Sequence, residues 1–299
     1  MTDFPNVSRR SFLKSGSLAL AGSALLPGLA TAQDADAKRL FSAMGIAAPL
    51  EKATMLQAAG AGFLTESVSS FLVPDKPEAD FQKNLERLVA SPLPILACNG
   101  FIRPAHLRCV GAEANHDLIL EWSETTFRRM KQVGGKIIVF GSSGARQLRD
   151  GWPQEKADEQ FVALLKRIGP LAEAHGIVLA LEQLRAQECN YINHIAEGAT
   201  MIRAAGHPNV RLLADLYHMT SMGDTPADLE SAMDVVVHLE IAEKEGRTVP
   251  GVSGEDFRPF FTVLRKAGYQ GAVSIEGKWE NDQIGPAFAQ IRKQAAETG

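Results

Sequence analysis

Cysteine is scarce in this chain, with Cys98, Cys109 and Cys189 the only three among 299 residues. They are too few and too irregular for a disulfide framework or a CxxC zinc site. Cys98 and Cys109 could pair in an oxidising compartment, but buried or idle thiols are the expectation. Positive charge is not in excess either. A net charge of −4 and a pI near 6.0 offer no basic footprint for nucleic acid. No Pro/Ser-rich linker, charge block or low-complexity run divides the chain, so one domain is expected after the N-terminal segment. No glycine-rich fingerprint follows the first strand-like run, which argues against a dinucleotide-binding fold.

A long apolar run is also missing. The nearest candidate, SLALAGSALLPGLA, contains glycine and is broken at Pro27, and it falls short of the ~20 residues a membrane-spanning helix needs. It follows Ser8-Arg9-Arg10-Ser11-Phe12-Leu13-Lys14 and precedes Ala30-Thr31-Ala32. A basic region, an apolar region and a small-x-small cleavage site in that order read as an export leader. The paired arginines before Phe-Leu-Lys resemble a twin-arginine signal. The expected mature protein is therefore 33–299, freed from 1–32 by cleavage, delivered to the periplasm by the twin-arginine (Tat) machinery and without a membrane segment.

What the chain does have is repetition of type. Eight short apolar runs (RLFSAMGIAA, GFLTESVSSFLV, LPILACNGFI, GKIIVFGSSG, GIVLALEQL, VRLLADLYHM, VVHLEIAE and GAVSIEGKW) alternate with amphipathic segments such as 116–133, 156–175 and 194–205. Glycines at Gly134, Gly176, Gly206 and Gly268 stop helices just ahead of the next run. Strand–helix alternation means an α/β fold with a parallel sheet. A doubly wound open sheet alternates in the same way. The number of repeats and the dispersal of polar residues over many run ends favour a single-domain (β/α)8 TIM barrel, whose strand ends share one rim.

Those run ends carry the chemistry. Glu182 closes GIVLALE, Asp215 closes VRLLAD with His218 three residues on, His238 and Glu240 sit in VVHLE, and Glu276 closes VSIE. A carboxylate inside an apolar strand is costly unless it is paired or metal-bound. A structural ion pair explains one such acid, but four on separate strand ends call for a cation. Mostly oxygen donors favour a hard ion, Mn²⁺ or Mg²⁺, with Co²⁺ an option. His238 and Glu240, two apart, point to one side of a strand, and Glu243 to the other if the strand continues. Arg247, in the turn-rich EKEGRTVPG, suits hydroxyl, carboxylate or phosphate recognition. The GSSG turn could cradle phosphate through its amides. Trp152, Trp279, Phe71, Phe101 and Tyr191 lie near strand ends and could stack on a sugar ring, or simply pack.

From about Leu40 onward, and most specifically from Glu182, the chain resembles the sugar phosphate isomerase/epimerase group of xylose-isomerase-like TIM barrels, which includes ketose 3-epimerases and hydroxypyruvate isomerase. LEQLRAQE is similar to the block that pairs a metal-binding catalytic Glu with a substrate-binding Glu, implying those roles for Glu182 and Glu188. DLYHM implies Asp215 as a metal ligand and His218 beside the substrate. HLEIAE…RTVPG implies a substrate role for Arg247 and for His238. SIEG implies Glu276 as the second catalytic, metal-binding acid. The chain departs from the group at Glu240, where a His or Gln ligand is usual, and direct metal binding by Glu240 is the expectation. The resemblance implies one divalent ion, Mn²⁺ foremost, a small-molecule sugar substrate, and proton transfer through an enediolate that yields isomerisation or epimerisation. A lyase or epimerase of 3-keto-glycosides and a non-catalytic sugar-binding barrel are the alternatives. Nucleic acid is not an expected partner, and a homo-oligomer is left open.

Overall fold

The computed structural model describes residues 39–149 and 151–299. The expected leader, 1–32, lies outside the described residues. All eight apolar runs contain strands: β1 Met44–Ala47, β2 Phe63–Ser67, β3 Ile95–Asn99, β4 Ile137–Phe140, β5 Val178–Glu182, β6 Val210–Asp215, β7 Val236–Ile241 and β8 Val273–Ile275. Each is parallel to the next, and β8 pairs back to β1, so the sheet closes into a (β/α)8 barrel in sequence order. The helices are α1 Ala53–Ala58, α2 Glu78–Val89, α3 His116–Val133, α4 Ser143–Arg146, α5 Gln154–His175, α6 Ile195–Ala205, α7 Leu216–Met222, α8 Pro226–Ala232, α9 Arg258–Lys266 and α10 Ile284–Ala296. Three sequence-derived segments, 116–133, 156–175 and 194–205, match α3, α5 and α6 to within two residues at each end. Among the described residues no helix is long and apolar enough to cross a membrane.

Two apolar layers hold the barrel. The outer, larger one lies between strands and helices and includes Ile46, Leu64, Phe140, Leu212 and Phe261. The inner one is small: Val139, Ala180 and Leu213 pack on each other inside the strands. Because strand side chains alternate, Ala180 and Leu213 face the same way as Glu182 and Asp215, one step nearer the closed end. Phe63 fills the inner layer opposite β1, which yields the space through Gly45. A Cβ at that position would stand 2.4 Å from the Phe63 ring.

A bulge completes the arrangement. β7 pairs Val236 with Leu212 but His238 with Leu213, so Val237 is the extra residue. The shift sets Glu240 opposite Asp215, and two acids from adjacent strands then reach the mouth side by side.

Candidate active site

Glu182, Asp215, Glu240 and Glu276 converge at the C-terminal mouth. One carboxylate oxygen from each lies within 4.8 Å of the others, and Glu182, Asp215 and His218 form a second such group. Asp215 and Glu240 are fully buried, Glu182 nearly so, while Glu276 reaches the cavity with a quarter of its side chain exposed. Glu182 and Glu240 end or sit in strands, and Glu276 follows β8 directly, its N–H donating to Ile241 O at 3.1 Å. Asp215 also caps α7 by accepting from the His218 N–H at 3.1 Å. The segment after Asp215 is the first turn of a helix, and that turn brings His218 back over the acids.

Crowding sets the protonation. Burial first, then the carboxylates of Glu276, Glu182 and Asp215, pushes Glu240 well above the usual carboxylate range. Burial, with Glu182 and Asp215 adding to it, pushes Glu276 up to about 7 against the opposing pull of Arg247 and Asn99. His218 Nδ1 accepts the Arg185 N–H at 3.2 Å. That bond assigns the ring proton to Nε2, which faces Glu182 Oε1 at 3.4 Å. His218 is therefore set to donate.

The acids fit a cation. Asp215 Oδ2, Glu240 Oε2 and Asn99 Oδ1 are buried oxygens with no hydrogen-bond partner, a costly state that a bound ion relieves. Four carboxylates within reach of one point are a hard-ion donor set. The nearest cationic group, Arg247, addresses only the edge of the cluster. It donates to Glu276 Oε2, stands 4.0 Å from Asp215 Oδ2 and donates to Glu188 Oε1 at 3.3 Å. Its guanidinium also lies 4.6 Å from the Tyr217 ring centre.

A cavity of about 410 Å³ opens above the cluster, walled by Glu182, Glu188, His218, Arg247 and Glu276 on one side. Asn99, Gly100, Ile102, Arg103, Leu184 and the Gly141–Gly144 turn complete it. Seven of the eight residues singled out from the sequence thus meet at the mouth, five on the cavity wall and Asp215 and Glu240 beneath it. His238 does not reach the wall. It lies at the level of Leu213, fully buried, 6.4 Å from the Phe63 ring centre, with both ring nitrogens unpartnered. Burial pushes it down to about 4, so it is neutral. It shares the face of Glu240 as expected, but two residues earlier on a strand is about 7 Å deeper. The five aromatics that could stack or pack do pack: Phe71, Phe101 and Tyr191 are buried and Trp152 and Trp279 lie against the core. All three cysteines are free and buried.

Three residues of the site had no strong sequence signal. Asn99 ends β3 and donates from Nδ2 to both Glu240 Oε1 (3.1 Å) and Glu276 Oε1 (2.6 Å), bracing two acids at once. It ends an apolar run in the manner of the acids, the only clue available. Gly141 leaves room for Glu182, since a Cβ there would stand 2.3 Å from Glu182 Oε2. Arg146, wholly buried, donates to Gly141 O and Glu182 O, both at 2.6 Å, and so fixes the two backbones to each other.

A closed parallel barrel with its acids gathered at the C-terminal mouth is the architecture of a TIM-barrel enzyme site. The chain belongs to the xylose isomerase-like TIM barrel family, whose profile matches residues 50–297. Inosose isomerase of Halalkalibacterium halodurans is 28% identical over 127 residues, covering 38% of this chain and 44% of that protein. D-psicose 3-epimerase of Agrobacterium fabrum is 30% identical over 159 residues, covering 50% and 54%. The chain spans about half the length of the curated relatives it matches. The structure of 3-keto-D-glucoside 4-epimerase from E. coli superposes with a TM-score of 0.70 over 84% of this chain and 98% of that one, at 22% identity. At that identity the likeness is one of fold.

Proposed function

We propose that this chain is a divalent-metal-dependent isomerase or epimerase of a ketose or keto-sugar, acting by proton transfer through an enediolate. The observation that carries the reading is the pair Glu182 and Glu276: two acids from β5 and just past β8 that face one cavity and share one cation-fitting cluster. The names of the curated relatives, an isomerase and an epimerase of keto-compounds, support the same class.

Glu182, Asp215, Glu240 and Glu276 would hold the ion, Mn²⁺ foremost and Mg²⁺ or Co²⁺ next on the donor set. When bound, a divalent ion polarises a carbonyl and its neighbouring hydroxyl and so acidifies the C–H between them. The protein's own part is proton traffic and orientation. One of Glu182 and Glu276 takes the proton from that carbon, the electron pair moves towards the carbonyl oxygen, and the second acid returns a proton. Return to the opposite face of the same carbon is epimerisation; return to the former carbonyl carbon, with the neighbouring hydroxyl's proton passing to the former carbonyl oxygen, is isomerisation. Without a cation, burial and the neighbouring acids push Glu276 up to about 7, so the cluster alone holds a proton where an ion would otherwise neutralise it. His218 Nε2–H, Arg247 and Glu188 stand on the wall to bind hydroxyls, and Leu184 and Ile102 contribute apolar surface that excludes water. His238, neutral and below the acids, has its role in the barrel interior.

A lyase or epimerase of 3-keto-glycosides is the second reading; it would use the same acid cluster, and one fold neighbour is a 3-keto-D-glucoside 4-epimerase by name. Export by the twin-arginine route, with the mature protein in the periplasm, belongs to the same proposal and is checked by N-terminal sequencing of secreted protein. The deciding experiment combines metal content by elemental mass spectrometry with deuterium uptake from heavy water into D-psicose, an inosose and a 3-keto-glucoside. One equivalent of divalent metal with uptake next to the carbonyl is the expected outcome. Release of an aglycone would move the assignment to the lyase. No metal and no uptake would leave a sugar-binding barrel.

A further inference from the structure

Behind the mouth lies a second buried carboxylate with a different environment. Glu243 follows β7, is without solvent exposure, and has no cationic partner among the described residues. All its hydrogen bonds come from the loop that follows it. The carboxylate accepts the backbone N–H of Gly251 (2.7 Å), Gly254 (3.0 Å), Glu255 (3.2 Å) and Ser253, together with the Thr248 hydroxyl (3.1 Å). Its own N–H donates to Thr248 O at 2.8 Å. The loop is closed further where the Glu255 carboxylate accepts the Lys244 N–H.

Arg247 sits in the middle of this loop, in a left-handed backbone conformation at φ 54°, directly after Gly246 at φ 70°. A non-glycine residue holds that conformation only when its surroundings enforce it. The enforcement comes from two sides. Thr248 is tied to Glu243, and the chain past β8 is tied to Arg247 itself, with Lys278 N–H donating to Arg247 O at 2.7 Å and Val249 N–H to Lys278 O at 3.2 Å. Glu243 does not line the cavity, yet the guanidinium whose backbone it helps to hold contacts Glu276 and Glu188 there.

We infer that Glu243 is the positioning residue of Arg247: its charge gathers the amides of the loop 244–255 and thereby aims the guanidinium at Glu276. The inference rests on Arg247 being part of the cavity wall and is independent of the reaction assigned to it.

The test is an NMR comparison of wild type and Glu243→Gln that needs no substrate. The introduced glutamine retains the size of the side chain but turns an NH₂ donor towards N–H donors. Arginine Nε–H resonances are recorded with ¹⁵N-labelled arginine, that of Arg247 being assigned by its disappearance in Arg247→Lys. Amide exchange is measured at Gly251, Ser253, Gly254 and Glu255 in parallel. The expected result is exchange at those amides at least tenfold faster, with the Arg247 resonance shifted or broadened and that of Arg146 unchanged. Faster exchange with an unmoved Arg247 resonance would reduce Glu243 to a loop clamp and overturn the inference. So would unchanged exchange. If Glu243→Gln does not fold, Glu243→Asp, which keeps the charge and withdraws it by one methylene, is read by the same criteria.

Discussion

Glu240 and Glu243 stand three residues apart at the end of one strand, both fully buried, and their surroundings drive them in opposite directions. Around Glu240 are three other carboxylates and one amide donor, Asn99, and burial with that crowding raises its affinity for a proton. Burial opposes the charge on Glu243 too, but the amides of Ser253, Gly251 and Glu255 and the Thr248 hydroxyl more than offset it, and its carboxyl is held below the usual range. Burial alone therefore does not decide what an acid does; the donors around it do. One acid is left needing a positive charge from outside. The other is satisfied by the chain itself and organises a loop.

That contrast can be broken experimentally, and the largest effect is expected at the proton-transferring acids. Glu182→Gln and Glu276→Gln should each slow deuterium uptake into the substrate by about 10²–10⁴-fold, the usual share of a general acid or base. Melting temperatures within a few degrees of wild type would show the barrel intact; uptake within tenfold would remove either residue from the chemistry. Gly141→Ala comes next. A methyl group directed at Glu182 Oε2 displaces the carboxylate, and a misplacement on that scale costs about 10²-fold in rate. Unchanged rates would mean the turn yields instead.

Glu240→Ala should weaken divalent-ion binding by about tenfold or more, in the range of a lost ion-site contact, as read by calorimetric titration of chelator-stripped protein. Undiminished affinity would return the ion to the other three acids. The smallest effect is the pH dependence of stability in that stripped protein. Glu276, raised to about 7 by burial and by Glu182 and Asp215, contributes stability below its unfolded value near 4.3 that is lost as pH rises through 7. Glu243, depressed, contributes stability above that unfolded value that is lost as pH falls below it. Melting curves from pH 3 to 8 should thus show a shallower neutral limb in Glu276→Gln, with Glu240 supplying the remainder, and a shallower acid limb in Glu243→Gln. Each change is read as a shift of a few degrees in melting temperature for a domain of this size. Parallel curves for both variants would erase the distinction.

Much of this was legible in the residues. The eight strands were, because each is a short apolar run bounded by helix stops, and the four acids were, because each interrupts such a run at its end. The helix α2 is weakly marked: Phe81, Leu85 and Leu88 carry helical spacing, but Glu, Asp, Gln, Lys, Asn and Arg fill most of the rest, and only Phe81 is buried. Period alone could not give the depth of His238: alternation fixes a side chain's face, while its level depends on the register and on the bulge at Val237. Gly141 and Arg146 act through backbone proximity between β4 and β5, which no spacing announces. The role of Glu243 was hidden for a related reason, as its donors are main-chain amides and any residue types could have supplied them.

With Phe63 over Gly45 and His238 against that ring, the barrel is stoppered at the level of its inner layer. Among the described residues, the acids are reached from the mouth, through the cavity above them. On the proposed reading, an ion held among Glu182, Asp215, Glu240 and Glu276 would lie below anything that occupies the cavity, would have to be loaded first, and would have the sugar as its lid. On that reading, metal exchange and sugar exchange would be queued rather than parallel, and a saturating sugar would slow the escape of an ion held beneath it.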